Sequence, residues 1–294
     1  MEKSKVYFTK NITSDSLIKI YEALGVTLNG KIAVKLSSGE PGGHHFLNPN
    51  LIKDLVSKLN GTIVECNTAY AGRRNTTDEH WKAIKEHGFM DIAKVDIMDE
   101  DGDMPIPVKN GFHLKEDYVG NHLANYDSML VLSHFKGHAM GGFGGALKNI
   151  SIGIGSSNGK AWIHTAGKVK DPQKLWDNLP AQDDFLESMA DASEAVISYI
   201  GKENMVYINV ANNLSVDCDC DSNPHAPEMK DIGIFASLDP VALDQACYDA
   251  VINSDDPGKK ALIERMNSRH GIHTVEAANK LGIGNREYEI INID

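Results

Sequence analysis

Cysteine is scarce: Cys66, Cys218, Cys220 and Cys247 are the only four in 294 residues. So few, so scattered, exclude a disulfide scaffold and suit a reducing compartment. Cys218 and Cys220 stand too close in sequence for an ordinary bridge and are expected to be reduced. The usual ferredoxin run of closely spaced cysteines is missing, so no self-contained 4Fe-4S cluster is expected. Basic charge is short as well. Twenty-nine Lys and Arg against 41 Asp and Glu leave a net charge of −12. Such a surface repels phosphate backbones and anionic lipid, and no basic run argues back, so neither nucleic acid nor membrane is expected as a partner. No apolar stretch approaches the roughly 18 residues of a membrane span. The opening MEKSKVYFTKN has no apolar h-region, so a secretory leader is not expected and the cytoplasm is the expected location. Internal repeats, low-complexity tracts and Pro/Ser linkers are also absent.

What is present is an ordinary globular mix, 41% hydrophobic and 24% charged. The length allows one large domain or two modest lobes. The expectation is a single α/β unit over 1–294, with lobes 1–170 and 171–294 as the alternative. Strand-like runs alternate with capped helical runs. Ile32–Ser37, Thr62–Asn67, Ala93–Met98, Ser128–Ser133, Val206–Val210, Ile232–Ala236 and Tyr288–Ile293 read as strands. Asn48-Pro49 opens a helix closed by Gly61, and Thr76 with Glu79 forms a capping box for a helix ending at Gly88. Phe185–Ile200 is a long amphipathic helix. Asp239-Pro240 starts another over Val241–Val251, with Asp244 in its first turns. Two short helices near 259–268 and 274–281 follow. This alternation predicts a mostly parallel sheet flanked by helices, with strands 32–37, 62–67 and 128–133 as neighbours. Ligands gather at the C-terminal ends of such strands, where segments 38–45, 68–75 and 134–148 fall.

The third of these, SHFKGHAMGGFGGALKNISIGI, follows the most apolar strand. Gly141, Gly142, Gly144 and Gly145 allow tight turns and close backbone approach to a ligand, and Lys148 follows. A helix starting near Gly145 would point its N-terminus at an anion. His134 and His138, with His164 further on, are metal-ligating and proton-transfer types. In SGEPGGHH, Glu40, His44 and His45 are placed to face a cleft. In NTAYAGRRN, Tyr70, Arg73 and Arg74 follow a strand end, and a guanidinium pair suits a carboxylate or phosphate. The run DCDCD (217–221) concentrates thiols and carboxylates that would repel one another without a cation, which makes Cys218 and Cys220 candidate metal ligands.

With these residues in hand, the chain resembles the domain of unknown function 362 (DUF362) family. The similar stretches are KIAVKLSSGEPG, NTAYAGRRNTTDEHWKAIKEHGF, SHFKGHAMGGFGGALKNISIGIGSSNGKAWIH and VDCDCDSNPHAPEMKDIGIFASLDPVALDQA. Many members carry an inserted ferredoxin module with eight cysteines. This chain lacks it, so the family's iron–sulfur association does not transfer. A more distant resemblance is to lactate racemase and its relatives, which use a nickel-pincer nucleotide tethered to a lysine. Their order of histidine, glycine-rich turn, tether lysine and second histidine is matched by His138, GGFGG, Lys148 and His164, at spacings of ten and sixteen residues. Tyr70 stands roughly where the racemase has a catalytic histidine.

The resulting expectation is a cleft lined by His134, His138, Lys148, His164, Tyr70, Arg73 and Arg74 that takes a small anionic ligand. Lys148 and the four glycines would hold a cofactor: a transition metal (nickel, zinc or iron) or a nucleotide-derived metal cofactor. His138 and His164, with Cys218 and Cys220, would be the metal ligands. An isomerase- or oxidoreductase-like enzyme, a non-catalytic metal or cofactor carrier, and a redox accessory protein with a redox partner all remain open at this stage.

Overall fold

The structure, a computed structural model, describes residues 3–294. Its strands are β1 (Ser4–Thr9), β2 (Ile32–Lys35), β3 (Thr62–Glu65), β4 (Val95–Ile97), β5 (Asp103–Pro107), β6 (Glu116–Gly120), β7 (Ser128–His134), β8 (Lys136–His138), β9 (Gly142–Gly144), β10 (Met205–Ala211), β11 (Gly233–Ser237) and β12 (Tyr288–Asn292). The helices are α1 (Ser14–Ala23), α2 (Pro49–Lys58), α3 (Thr77–Glu86), α4 (Ala146–Ile150), α5 (Ser157–His164), α6 (Gln182–Ile200), α7 (Pro240–Ile252), α8 (Lys259–Ser268) and α9 (His273–Lys280).

Eight strands form one sheet in the order β12-β1-β11-β10-β7-β2-β3-β4. From β10 to β4 every pairing is parallel; β11 runs antiparallel to both of its neighbours. The three strands expected to be neighbours are β7, β2 and β3. Alternation within each strand splits the core in two. Ala33, Val64, Met129, Val131 and Tyr207 face a cluster built with α4 to α9. Val34, Ile63, Leu130, Leu132 and Ile208 face one built with α1 to α3. Two small hairpins, β5–β6 and β8–β9, stand outside the sheet. No helix among the described residues is long and apolar enough to cross a membrane.

The caps are mixed. Asn48 accepts from Asn50 N, and Asp239 from Val241 N and Ala242 N, as their positions predict. The expected capping box does not form: Thr76 makes no side-chain cap, and Glu79 is bonded instead to Arg73 Nε at 3.0 Å. A charge-assisted bond to a guanidinium outcompetes one to a backbone N–H. Asp244 also departs from expectation. It lies on α7, but its carboxylate caps α4, accepting from Ala146 N at 2.8 Å and Leu147 N at 2.9 Å. The anion at that helix start is therefore the protein's own. Gly145 is required there, because a Cβ would lie 2.3 Å from Asp244 Oδ1.

Because β10, β7, β2 and β3 are parallel, the segments leaving their C-terminal ends meet at one edge. Those segments carry 38–45, 68–75 and 134–148, and also 217–221, whose strand end was not among the three singled out from sequence.

Candidate functional site

Two contiguous cavities open at this edge. The inner one, about 80 Å³, is lined by Lys35, Arg74, Lys136, Lys148 and Lys160 against the carboxylates of Glu65 and Asp219. The outer one, about 370 Å³, is lined by His138, His164, Trp176 and Glu40 among others. Tyr70, Cys218 and Cys220 line both.

The inner cations are mostly buried and mostly paired. Lys35 Nζ lies 3.3 Å from Glu65 Oε2 and 3.1 Å from Asn149 Oδ1. Arg74 Nε donates to Glu40 Oε2 at 3.0 Å, and its Nη1 to Glu65 Oε1 at 3.4 Å. Burial works to raise the Glu65 pKa, but Lys35 and Arg74 hold it at about 2. Lys136 Nζ lies 2.5 Å from Asp219 Oδ1, and Lys160 Nζ donates to Gly155 O at 2.6 Å. Lys148 is the exception: among the described residues its ammonium has neither an ion-pair nor a hydrogen-bond partner, whereas Lys136 is at least ion-paired. Burial pushes its pKa down to about 8. Lys35, Arg74 and Lys160 push the same way, while Asp219 opposes. Even with Glu40 counted, this pocket holds more positive than negative side chains. A buried surplus of charge is costly unless something compensates it.

The outer cavity holds two histidines in complementary states. His138 Nδ1 accepts from Gly141 N at 2.8 Å, so the ring proton sits on Nε2. His164 Nδ1 donates to Lys160 O at 2.6 Å, so Nε2 keeps the lone pair. Burial lowers both, His164 to about 4, so both rings are neutral at pH 7. His138 is thus set as a donor, and His164 as an acceptor, base or metal ligand. Tyr70 and Phe185 pack on the His164 ring, with centroids 6.1 and 5.0 Å away. His138, Cys218 and Cys220 have ligand-capable atoms all within 4.8 Å of one another.

The family described as "Domain of unknown function (DUF362)" matches residues 32–249. The chain belongs to the DUF362 family. No curated protein matches it. Similar solved structures include the lactate racemase apoprotein from Thermoanaerobacterium thermosaccharolyticum, at 13% identity and TM-score 0.47, covering 84% of this chain and 57% of that one. A protein from Thermotoga maritima is similar at 15% identity and TM-score 0.45, covering 81% and 57%. The DUF362 chain therefore spans little more than half the length of each.

The structure sorts the residues singled out from this DUF362 sequence. His138 and His164 line the outer cavity, Lys148 and Arg74 the inner one, and Tyr70 both. His134 borders the inner cavity, but Asp219 at 3.0 Å and Asn212 O at 2.6 Å occupy both its nitrogens, leaving none for a ligand. Arg73 turns away, with its guanidinium bonded to Glu79 and Glu86 of α3. Gly144 and Gly145 reach the inner cavity, whereas Gly141 and Gly142 line neither. Gly142, at φ 77°, lets the β8–β9 turn pack on Gly271.

Cys218 and Cys220, expected to be reduced, are joined to one another. The tight turn of 217–221 brings their Cα atoms to 5.3 Å, a spacing a bridge accepts. Of DCDCD, Asp219 pairs with Lys136 and His134, and Asp217 with Arg265 and His225, so two of its three carboxylates have side-chain partners, while Asp221 accepts from Asn223 N. Sequence reading missed Lys35, Lys136, Lys160, Glu65 and Trp176. Lys35 and Glu65 had a legible signal, since each is a charge inside an otherwise apolar buried strand.

Proposed function

We propose that this DUF362 protein is a cofactor-dependent enzyme of the isomerase or oxidoreductase type acting on a small anionic substrate. The observation that carries the reading is the unpartnered ammonium of Lys148 in a cation-rich inner cavity, beside an outer cavity with one donor and one acceptor imidazole. The inner pocket suits a carboxylate or phosphate group, which Lys148 and Arg74 would neutralise. The outer pocket has room for the body of a small molecule. There His138 Nε2–H donates a hydrogen bond or proton to a substrate oxygen, and His164 Nε2 accepts a proton. Tyr70 packs edge-on against the His164 ring and covers that side of it.

The residues also fit a metal-bearing nucleotide cofactor. A lysine depressed to about 8 is partly unprotonated near neutral pH and able to form a covalent tether, the neighbouring cations match a phosphate, and the His164 lone pair suits a metal. Lys148 and His164 would hold such a group, which when bound supplies an electrophilic metal centre.

The test is calorimetric titration of the purified chain with inorganic phosphate and with small hydroxycarboxylates, together with intact mass and elemental analysis of protein from its native host. Binding that weakens at least about tenfold in Lys148→Met supports the reading. Equal binding by both proteins, with no adduct and no metal, rejects it. One observation favours a second reading, a redox accessory protein with a redox partner: the Cys218–Cys220 bridge lies in the wall of both cavities. Reversible reduction of that bridge with no anion binding would favour it over the first.

A further inference from the structure

Away from both cavities, the first turns of α6 carry three carboxylates, and three imidazoles from elsewhere close on them. His113 comes from the loop between β5 and β6, His270 from the turn between α8 and α9, and His273 from the first residue of α9. Glu187 is the centre. Its Oε2 lies 2.6 Å from His113 Nε2, and its Oε1 3.0 Å from His273 Nε2. His270 Nδ1 lies 2.7 Å from Asp183 Oδ1, and Asp184 Oδ1 lies 3.9 Å from His113 Nε2. The ligand-capable atoms form two triads, His113/Asp184/Glu187 and Asp183/His270/His273; within each triad all lie within 4.8 Å of one another. The Glu187–His273 contact joins the two.

Three features set this apart from ordinary surface ion pairs. Asp183, Asp184 and Glu187 stack three negative charges within one turn of helix, which is repulsive unless cations intervene. His273 has a carboxylate at each nitrogen, Glu187 at Nε2 and Glu276 at Nδ1, 3.5 Å away. A proton or a metal ion must therefore sit at each; with Nδ1–H turned to Glu276, Nε2 is the ligand, and a carboxylate orients the ring as in metal-bound histidines. The loop delivering His113 is also fixed. The fully buried Asp191 accepts from Phe112 N, His113 N and Leu114 N at 2.8 to 2.9 Å.

We propose that these six side chains form a second site, for a divalent transition metal of the zinc or nickel class. Mixed imidazole and carboxylate ligands suit such ions rather than calcium or magnesium. The site has a route to the cavities. Gln182, next to Asp183, donates to Met140 O at 2.7 Å and to Arg269 O at 2.8 Å. Met140 lies in the turn of the hairpin that carries His138, and Gly271 packs directly beneath that turn. A bound ion joins α6, the 269–273 turn and the β5–β6 loop, and so braces the His138 hairpin.

The experiment uses metal-free full-length chain in which His138→Ala, His164→Ala, Cys218→Ser and Cys220→Ser remove the ligands of the outer cavity, with the unsubstituted chain run in parallel. Titration with Co²⁺ should give visible d–d bands without thiolate charge transfer, and Zn²⁺ should displace it and raise the thermal midpoint by several degrees. Adding His113→Asn or His273→Ala should weaken Zn²⁺ binding more than about tenfold, while His44→Ala, an exposed histidine elsewhere, leaves it unchanged. His113→Asn keeps the backbone bonds to Asp191 and so preserves the fold. If the folded protein takes up no Co²⁺, or binds Zn²⁺ equally well without His113 and His273, the proposal is overturned. Because the outer-cavity ligands are already removed, either result leaves the function proposed for the cavities untouched.

Discussion

At the residue scale, charge and burial give the sharpest expectations. Lys148 titrates at about 8 in the folded chain, below an ordinary lysine, so between about 8 and 10.5 the unfolded state binds more protons. Stability should rise with pH across that window, and Lys148→Met should abolish the rise in urea melts taken from pH 7 to 10.5. Anion affinity should move the other way, falling as pH passes 8 and the ammonium is lost. Asp117 has the opposite sign. It is fully buried, its Oδ2 has no hydrogen-bond partner among the described residues, and burial raises its pKa to about 7. From about pH 4 to 7 the native state holds the extra proton, so stability falls as pH rises through that range. Asp117→Asn should therefore be more stable than the parent at pH 8, by about 1–3 kcal/mol, and the gain should vanish below pH 4. Cysteine accessibility gives a third check. Cys66 and Cys247 are buried free thiols whose pKa values burial raises. Thiol titration should find none in the native protein, two after unfolding, and all four only after reduction.

At the element scale, the short helix α4 depends on a partner far away in sequence. Its first two N–H groups end on Asp244 of α7, which also accepts from Asn209 Nδ2 of β10 at 2.7 Å. Asp244→Ala orphans three buried donors and should cost about 2–4 kcal/mol by denaturant unfolding. Lys148 sits on α4, so anion binding should weaken as well. Gly145→Ala should act in the same direction by pushing Asp244 out of its seat. Neither requirement was readable in the sequence, where Asp244 looked like a first-turn residue of its own helix and Gly145 like part of a ligand loop. The β8–β9 hairpin was half legible. The glycines implied that the chain folds back, but not that Gly142 does so to meet Gly271.

At the scale of the whole molecule, the central sheet is threaded by both halves of the chain. β10, from the second half, lies between β7 and β11, and the 217–221 segment that follows it supplies Asp219, Cys218 and Cys220 to the cavities. We propose on this basis that the chain folds as one unit. A fragment of residues 1–170 would leave β7 as an apolar edge strand and should aggregate when expressed alone, and mixing it with 171–294 should restore solubility. Two separately soluble, cooperatively melting fragments would refute this.

The sequence by itself determined the periodicities, and through them seven of the eight strands of the central sheet, most helices and the parallel core, though neither β1 nor the two small hairpins, because apolar alternation and end signals act over a few residues. It also put His134, His138 and Lys148 at or beyond the end of β7, whose following segment the parallel packing delivers to one sheet edge; that His164, at the end of α5, comes to the same cavities is visible only in the fold. Only the tertiary structure decided what each side chain does there. Arg73 and Arg74 are adjacent, yet Glu79 and Glu86 hold one outside while Glu40 and Glu65 draw the other in. His134 and His138 are four apart, yet Asp219 and a carbonyl occupy one while backbone N–H groups leave the other a donor. Glu40 lies 34 residues from Arg74, and Asp219 and Asn212 lie 85 and 78 residues from His134; even with nearer partners, hydrogen bonds and ion pairs are set by ångström-scale proximity that no local pattern encodes.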